Sequence, residues 1–297
     1  MTTIDFTGWA ASHQSRFEDV LRGVLPAADV APQRLHQAMR YAVLDGGKRV
    51  RPLLAFAAGE LAGADVSRVN IAAASVELIH AYSLVHDDMP CMDDDVLRRG
   101  KPTCHVQYDD ATALLVGDSL QSLAFQLLAE HQLSDLPAQQ LAMIKLLGVA
   151  SGSRGMAGGQ AIDLDSVGKS LTLPELENMH IHKTGALIRA AVLLGAQCGT
   201  VSAAQLARLD HFGKCVGLAF QVVDDVLDTE ADTATLGKTA GKDADNDKPT
   251  YVSLLGVTAA REMAQNLHAE AIAALAEFGD SALRLRQLAD FIVLRKF

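Results

Sequence analysis

Aromatic residues are scarce. They make up 5% of the 297 residues, with a single tryptophan. Strands draw on aromatic and β-branched residues in alternation, and such runs are hardly visible anywhere, which argues against a sheet. Cysteine is rare too. Cys91, Cys104, Cys198 and Cys215 show neither zinc nor disulfide spacing, so a stapled scaffold is excluded and a reducing cytoplasm is the simplest setting. Basic charge does not prevail. The 26 Lys and Arg stand against 36 Asp and Glu, a net charge of −10, which excludes nucleic acid as the natural partner. No stretch of about 20 residues is free of polar groups, so no membrane span is expected. The N-terminus has no basic region followed by an apolar stretch, so no signal peptide is expected. What remains is 49% hydrophobic, rich in Ala and Leu, and 21% charged, the make-up of a globular helical protein.

Apolar residues recur near a period of 3.6. Phe6, Trp9, Phe17, Val20, Leu21 and Val24 mark a helix over 5–25, ended before Pro26. Further helices are predicted over 31–44, from the turn at 48–52 through Leu61, and over 67–89, 108–131, 137–150, 173–198, 202–227, 258–278 and 282–294. Residues 151–165 keep a helical pattern but carry Gly152, Gly155, Gly158 and Gly159, a spacing that permits close helix packing. Residues 229–250 form one long polar segment, and no Pro/Ser linker divides the chain. These features predict an all-α single-domain bundle over residues 1–297, of about ten to twelve helices.

Charge is concentrated in two places. Asp87, Asp88, Asp93, Asp94 and Asp95 fall within nine residues, at the end of an apolar run through Ile71, Ala74, Leu78, Tyr82 and Val85. Gln221, Asp224, Asp225 and Asp228 follow a second apolar run, with Asp224 and Asp228 one turn apart on one face. A charge run is usually a solvated loop. Two apolar helices that each end in an Asp-Asp cluster point instead to one shared site for hard cations. Oxygen-only ligands suit Mg²⁺, which bridges carboxylates to substrate phosphates.

The cations are as informative. Gly46-Gly47-Lys48-Arg49-Val50-Arg51-Pro52 places three of them at a helix start, where phosphate binds. Arg98 and Arg99 follow the first acid cluster, Lys183-Thr184-Gly185 lies in an apolar helix, and Lys238, Lys242 and Lys248 punctuate the polar segment. A competing constellation is the pair Glu77-x-x-His80 and Glu177-x-x-His180, the elements of a di-iron carboxylate site. It leaves both Asp clusters and the basic turn unexplained.

In sequence order, Gly-Gly-Lys-Arg-x-Arg-Pro, Asp-Asp-x-x-x-x-Asp with Arg-Arg, Lys-Thr-Gly, Gln-x-x-Asp-Asp-x-x-Asp and Gly-Lys-x-x-Gly-Lys-Asp resemble the trans-isoprenyl diphosphate synthases, most closely the bacterial farnesyl diphosphate synthases. The resemblance runs from about residue 35 to the C-terminus. It implies a closed bundle around a deep central cavity, usually a homodimer, with three Mg²⁺ ions. It assigns metal binding to Asp87, Asp93 and Asp224, with Asp88, Asp225 and Asp228 beside them. Lys48, Arg51, His80 and Arg99 match positions that hold isopentenyl diphosphate. Arg98, Lys183, Lys238 and Lys248 match positions around the allylic diphosphate. Thr184 and Gln221 match groups that face the reacting carbons, and Arg295 is a further candidate from the C-terminal tail.

The implied chemistry is ionisation of an allylic diphosphate, attack by the isopentenyl double bond and loss of a proton. A terpene cyclase would have no need for a second diphosphate site at Gly46-Gly47-Lys48-Arg49. A non-catalytic subunit would be expected to have degraded Asp clusters, and both are intact. Product length turns on bulk about one turn below Asp87. A helical wheel places Ser83 nearer the face of Asp87 and Tyr82 roughly 140° away, so size rather than geometry selects Tyr82. The resemblance agrees: it pairs an aromatic there with the two-residue expansion Met89-Pro90-Cys91-Met92. A C15 product is expected, with geranylgeranyl diphosphate the runner-up.

Overall fold

The computed structural model describes residues 5–44, 46–230 and 249–294. Fourteen α-helices occur among the described residues. They are α1 (Phe6–Val24), α2 (Gln33–Val43), α3 (Val50–Leu61), α4 (Val66–Asp87), α5 (Cys104–Gln107), α6 (Asp110–Glu130) and α7 (Pro137–Ser151). Then come α8 (Met156–Asp165), α9 (Leu173–His180), α10 (Ala186–Gln197), α11 (Ala203–Glu230), α12 (Tyr251–Leu255), α13 (Val257–Ala274) and α14 (Leu283–Val293). Side-chain caps start several of them. Asp5 accepts from the Gly8 amide at 2.6 Å, Asp65 from Ser67 at 2.7 Å and Asp109 from Thr112 at 2.6 Å.

Helix α4 is the axis. Val69, Ala72, Ala73, Ala74, Val76, Leu78, Ile79 and Val85 are all buried on it, and α3, α6 and α10 pack around it. A helix buried on most sides needs small residues if its neighbours are to come close, and the alanine-rich, aromatic-poor composition supplies them. Around α11, a second apolar cluster joins Leu176, Val222, Val226, Tyr251 and Ala260. Helix α6 is long and apolar enough to cross a membrane, with a mean hydropathy of 1.2. It packs instead along α4 and leaves Leu114 and Leu115 exposed.

Three departures from the sequence reading matter for the site. The expected helix over 173–198 is broken by a π-helical turn at Ile181–Gly185. Such turns insert a residue into an α-helix and often mark functional positions. The expected helical run over 151–165 is a turn followed by α8. The segment after the first acid cluster is a β-hairpin, with Leu97 opposite Pro102 and Arg98 opposite Lys101. Its tip, Arg99-Gly100, has φ of 54° and 73°, as a tight two-residue hairpin turn requires. Two-residue strands are too short to show alternation.

The basic turn holds a further surprise. Arg49 is buried and bonds Glu18 at 2.6 Å, Glu77 at 2.6 Å and the Val43 carbonyl at 2.7 Å. It ties α1, α2, α3 and α4 together and is not a phosphate ligand. Removing one partner of a buried ion pair strands the others and costs about 3–5 kcal/mol. Arg49→Met is therefore expected to lower the denaturant midpoint by that equivalent without changing the slope, as read from equilibrium unfolding in urea.

Candidate active site

Helix α4 stops at Asp87 because Pro90 cannot continue it, and the chain folds back on the helix end. The Asp93 amide donates to the Asp87 carbonyl at 2.8 Å, and the Asp95 amide to the Asp88 carbonyl at 3.1 Å. This sets Asp93 beside Asp87. Burial first, then the charges of Asp93 and Asp88, push the Asp87 carboxyl up to about 6 despite the pull of Lys183 and Arg98. A carboxylate held against like charge in a half-buried place is poised for a cation.

Two of the expected metal ligands are placed otherwise. Asp88 is 3% exposed, and both its oxygens accept from Arg98 Nε at 2.8 Å. Burial works against the Arg98 charge, yet Asp88 outweighs it and holds the guanidinium above its usual value. The two form one buried bidentate pair, so Arg98 is committed to Asp88. Asp225 is also buried, and its Oδ2 accepts from the Tyr251 backbone amide at 2.8 Å. It fastens the first turn of α12 to α11. Asp87, Asp93, Asp224 and Asp228 are the carboxylates that could hold Mg²⁺, a hard-oxygen set that fits the ion.

Helix α11 stands behind the cavity wall and is tied to it through Gln221. Thr184, in the π turn, donates to Gln221 Oε1 at 2.8 Å. Its neighbour Lys183 reaches Asp163 of α8 at 2.6 Å. Lys183 and Thr184, adjacent in the π turn, thus tie it to two different helices, α8 and α11. Arg51 is half-buried, its buried Nε has no hydrogen-bond partner, and its charge is opposed by burial and supported by Glu77 and then Asp224. His80 is held well below its usual value by burial, then by Arg51, Arg99, Arg98 and Arg49. The Arg99 side chain lies against Gly46 and Gly47, and Lys48 is exposed beside them. Lys238, Lys248 and Arg295 lie outside the described residues.

Arg51, His80, Tyr82, Asp87, Lys183 and Thr184 all line one cavity of about 350 Å³. Asp88, Arg98 and Arg99 line a smaller cleft of about 70 Å³ with Gly46. The larger cavity has one wall that sequence reasoning missed, formed on α8 by Met156, Ala157, Gln160 and Leu164. Gln160 is 9% exposed and neither its Oε1 nor its Nε2 has a hydrogen-bond partner, so an unspent amide faces the cavity. The signal was Gly159. A Cβ there would stand 2.1 Å from the Lys183 amide nitrogen, so the glycine brings α8 against the π turn. The di-iron reading fails on the same geometry. Glu77 is spent on Arg49 at 2.6 Å, and His80 sits among arginines.

The polyprenyl synthetase family matches residues 32–281. The chain belongs to that family. It is similar to the farnesyl diphosphate synthase of Haemophilus influenzae, 46% identical over 285 residues that cover 95% of this chain and 96% of that one. It is also similar to the chloroplastic geranylgeranyl pyrophosphate synthase of Capsicum annuum, 45% identical over 266 residues, 89% of this chain and 72% of that one. Among solved structures it is similar to the Helicobacter pylori geranyltransferase complexed with magnesium and isoprenyl diphosphate. That likeness has a TM-score of 0.84 and 33% identity, and covers 99% of this chain and 98% of that one. As a polyprenyl synthetase, the chain has the all-α architecture expected from its periodicity.

The raised Asp87 value has a measurable consequence for the metal-free fold. The folded value of about 6 lies above the ordinary 3.8. Between about pH 4 and 6 the folded state holds a proton that the unfolded chain has lost, so stability falls as pH rises through that window. Asp87→Asn removes the penalty. Without Mg²⁺ it is expected to be more stable than the parent by about 1–2 kcal/mol at pH 7 and equal to it near pH 4, as read from urea midpoints at the two pH values.

Proposed function

We propose that the protein is a Mg²⁺-dependent farnesyl diphosphate synthase, condensing isopentenyl diphosphate with dimethylallyl and then geranyl diphosphate. The observation that carries this is the convergence of Asp87, Lys183, Thr184 and Arg51 on one cavity, with Gln221 and Asp224 joined to it through Thr184 and Arg51. The magnesium complex of the Helicobacter pylori relative supports the metal. Asp87 and Asp93 would hold Mg²⁺ from one side and Asp224 with Asp228 from the other, with three ions expected. Bound there, Mg²⁺ would act as a Lewis acid and take up leaving-group charge from the allylic diphosphate.

The chain supplies the rest. Lys183, steadied by Asp163, neutralises the allylic diphosphate. Lys48, Arg51, His80 and Arg99 receive the isopentenyl diphosphate. When the allylic C–O bond ionises, positive charge spreads over apolar surroundings that cannot solvate it. The Lys183 carbonyl, the Thr184 hydroxyl oxygen and the Gln221 amide oxygen present fixed negative dipoles to that charge. Thr184 spends its hydrogen on Gln221, so its lone pairs remain for the cavity. The double bond attacks C1, and the proton leaves with the departing diphosphate, since no side chain among the described residues is set as a dedicated base. Purified protein given Mg²⁺, isopentenyl diphosphate and each allylic primer in turn, with products separated by chain length, tests the proposal. Asp224→Ala is expected to lower turnover at least about 10²-fold at saturating Mg²⁺; near-normal turnover would sink the two-cluster site.

Tyr82 favours the C15 product over C20. It is 8% exposed, lines the cavity and packs edge-on against His86 with ring centroids 5.8 Å apart. Ser83 lines the cavity too, but serine leaves room for another isoprene unit. Each unit needs roughly one helical turn, about 5.4 Å. Tyr82→Ala is expected to shift the product to C20 or longer with the first condensation intact; an unchanged C15 product would remove Tyr82 from the floor. The exposed Leu114 and Leu115 of α6 support assembly as a homodimer. Four free thiols suit a reducing cytoplasm.

A further inference from the structure

Away from the cavity, three side chains with no part in the chemistry above come together. His211 and Cys215 are one turn apart on α11, and Glu270 faces them from α13. The Cys215 Sγ lies 3.7 Å from His211 Nε2 and 3.8 Å from Glu270 Oε2, and all three ligand atoms fall within 4.8 Å of one another. We propose that His211, Cys215 and Glu270 form a binding site for a borderline-soft divalent cation, Zn²⁺ in the first instance, that clamps α11 to α13.

The distances carry the argument. With metal–sulfur bonds of about 2.3 Å and metal–nitrogen or metal–oxygen bonds of about 2.0–2.2 Å at tetrahedral angles, the sulfur-to-nitrogen and sulfur-to-oxygen edges are roughly 3.5–3.6 Å. The observed edges exceed these by a few tenths of an ångström. They are long for hydrogen bonds, so the thiol has no strong partner of its own. A His and a Cys at i and i+4 share one helix face, and the third ligand comes from the neighbouring helix, so the ion would bridge two elements. The donor set also discriminates. Sulfur and imidazole select Zn²⁺ over Mg²⁺, whereas the all-oxygen clusters of the cavity do the reverse. Three protein ligands leave the fourth position to water. His211 and Glu270 are exposed and Cys215 is buried, so an ion can enter from solvent.

Without metal, burial and then the Glu270 charge raise the Cys215 thiol to about 11. Binding therefore releases the thiol proton to solvent, and the imidazole must present Nε2 as its lone pair. Lys214, the nearest ammonium in sequence, is tied to Asp210 at 2.7 Å and does not occupy the site. Cys215 precedes Asp224 by nine residues, about 13 Å along α11, so the clamp would brace that helix without touching substrate.

Titration of the full-length protein with Co²⁺, in place of Zn²⁺, tests this. A thiolate-to-cobalt charge-transfer band in the near ultraviolet, saturating at one equivalent and abolished by Zn²⁺, is expected. It should vanish in Cys215→Ser and persist in Cys91→Ser, which controls for the exposed cysteine beside the first acid cluster. His211→Asn and Glu270→Gln, both at exposed positions that leave the core intact, should each weaken Co²⁺ binding at least about tenfold. No band at stoichiometric Co²⁺, a band that survives Cys215→Ser, or one indifferent to both His211→Asn and Glu270→Gln would overturn the proposal.

Discussion

Like charge held at the ends of apolar helices is the constraint on which the rest of the structure depends. Asp87, Asp88 and Asp93 are forced together by the return of the chain after α4, and the metal-free protein shows the cost in the Asp87 carboxyl, raised first by burial and then by its like-charged neighbours. The fold relieves only part of it. Arg98 neutralises Asp88, and a backbone amide holds Asp225 by a hydrogen bond without cancelling its charge, while Asp87 is left half-buried with its carboxyl raised. Each cluster is thus divided: one carboxylate ties down a neighbouring segment beside others placed where a cation would bind. The same division appears in the basic turn, where Arg49 locks four helices together so that Lys48 and Arg51 can stand on either side of a fixed point.

The second requirement is close backbone approach. The π turn can serve the cavity only if α8 lies against it, and Gly159 permits that. Once α8 is there, Asp163 reaches Lys183 and Gln160 enters the wall. An inserted residue in the helix then turns Lys183 toward α8 and Thr184 toward α11.

Much of this was legible in the sequence, and the part that was not has physical reasons. The placement of Asp87 at a helix end was readable from apolar periodicity, as was that of Asp224 after an apolar run, although α11 continues past it to Glu230; Lys183, Thr184 and Gln221 were visible as polar residues among apolar runs. Asp88 and Asp225 could not be told from their neighbours, because partner choice depends on a hairpin and on α12, whose positions periodicity does not give. Arg49 read as one more cation of the basic turn, since burial between Glu18 and Glu77 joins residues far apart in the chain. The break at Ile181 was hidden because the run after it, Leu187 to Ala196, is apolar and buried nearly all round, so a one-residue shift in phase leaves no visible mismatch. Gln160 was hidden by a glycine run that reads as packing alone.

The depth of the cavity depends on a helix that does not line it. His86, against which Tyr82 packs, faces the Leu114 carbonyl of α6 at 3.0 Å. A Cβ at Gly117 would stand 1.9 Å from the His86 ring, so α6 presses directly on the support of the proposed floor. Tyr82 alone is only a bulky side chain with torsional freedom; with His86 wedged by α6 it has little room to swing aside under a growing isoprenoid. Leu114, which sets that wedge through its carbonyl, also exposes its side chain on the outer face of α6. The room available to Tyr82 is thus set by the packing of α6 on α4 as much as by the tyrosine itself, and loosening the contact at Gly117 would free it without any change to Tyr82.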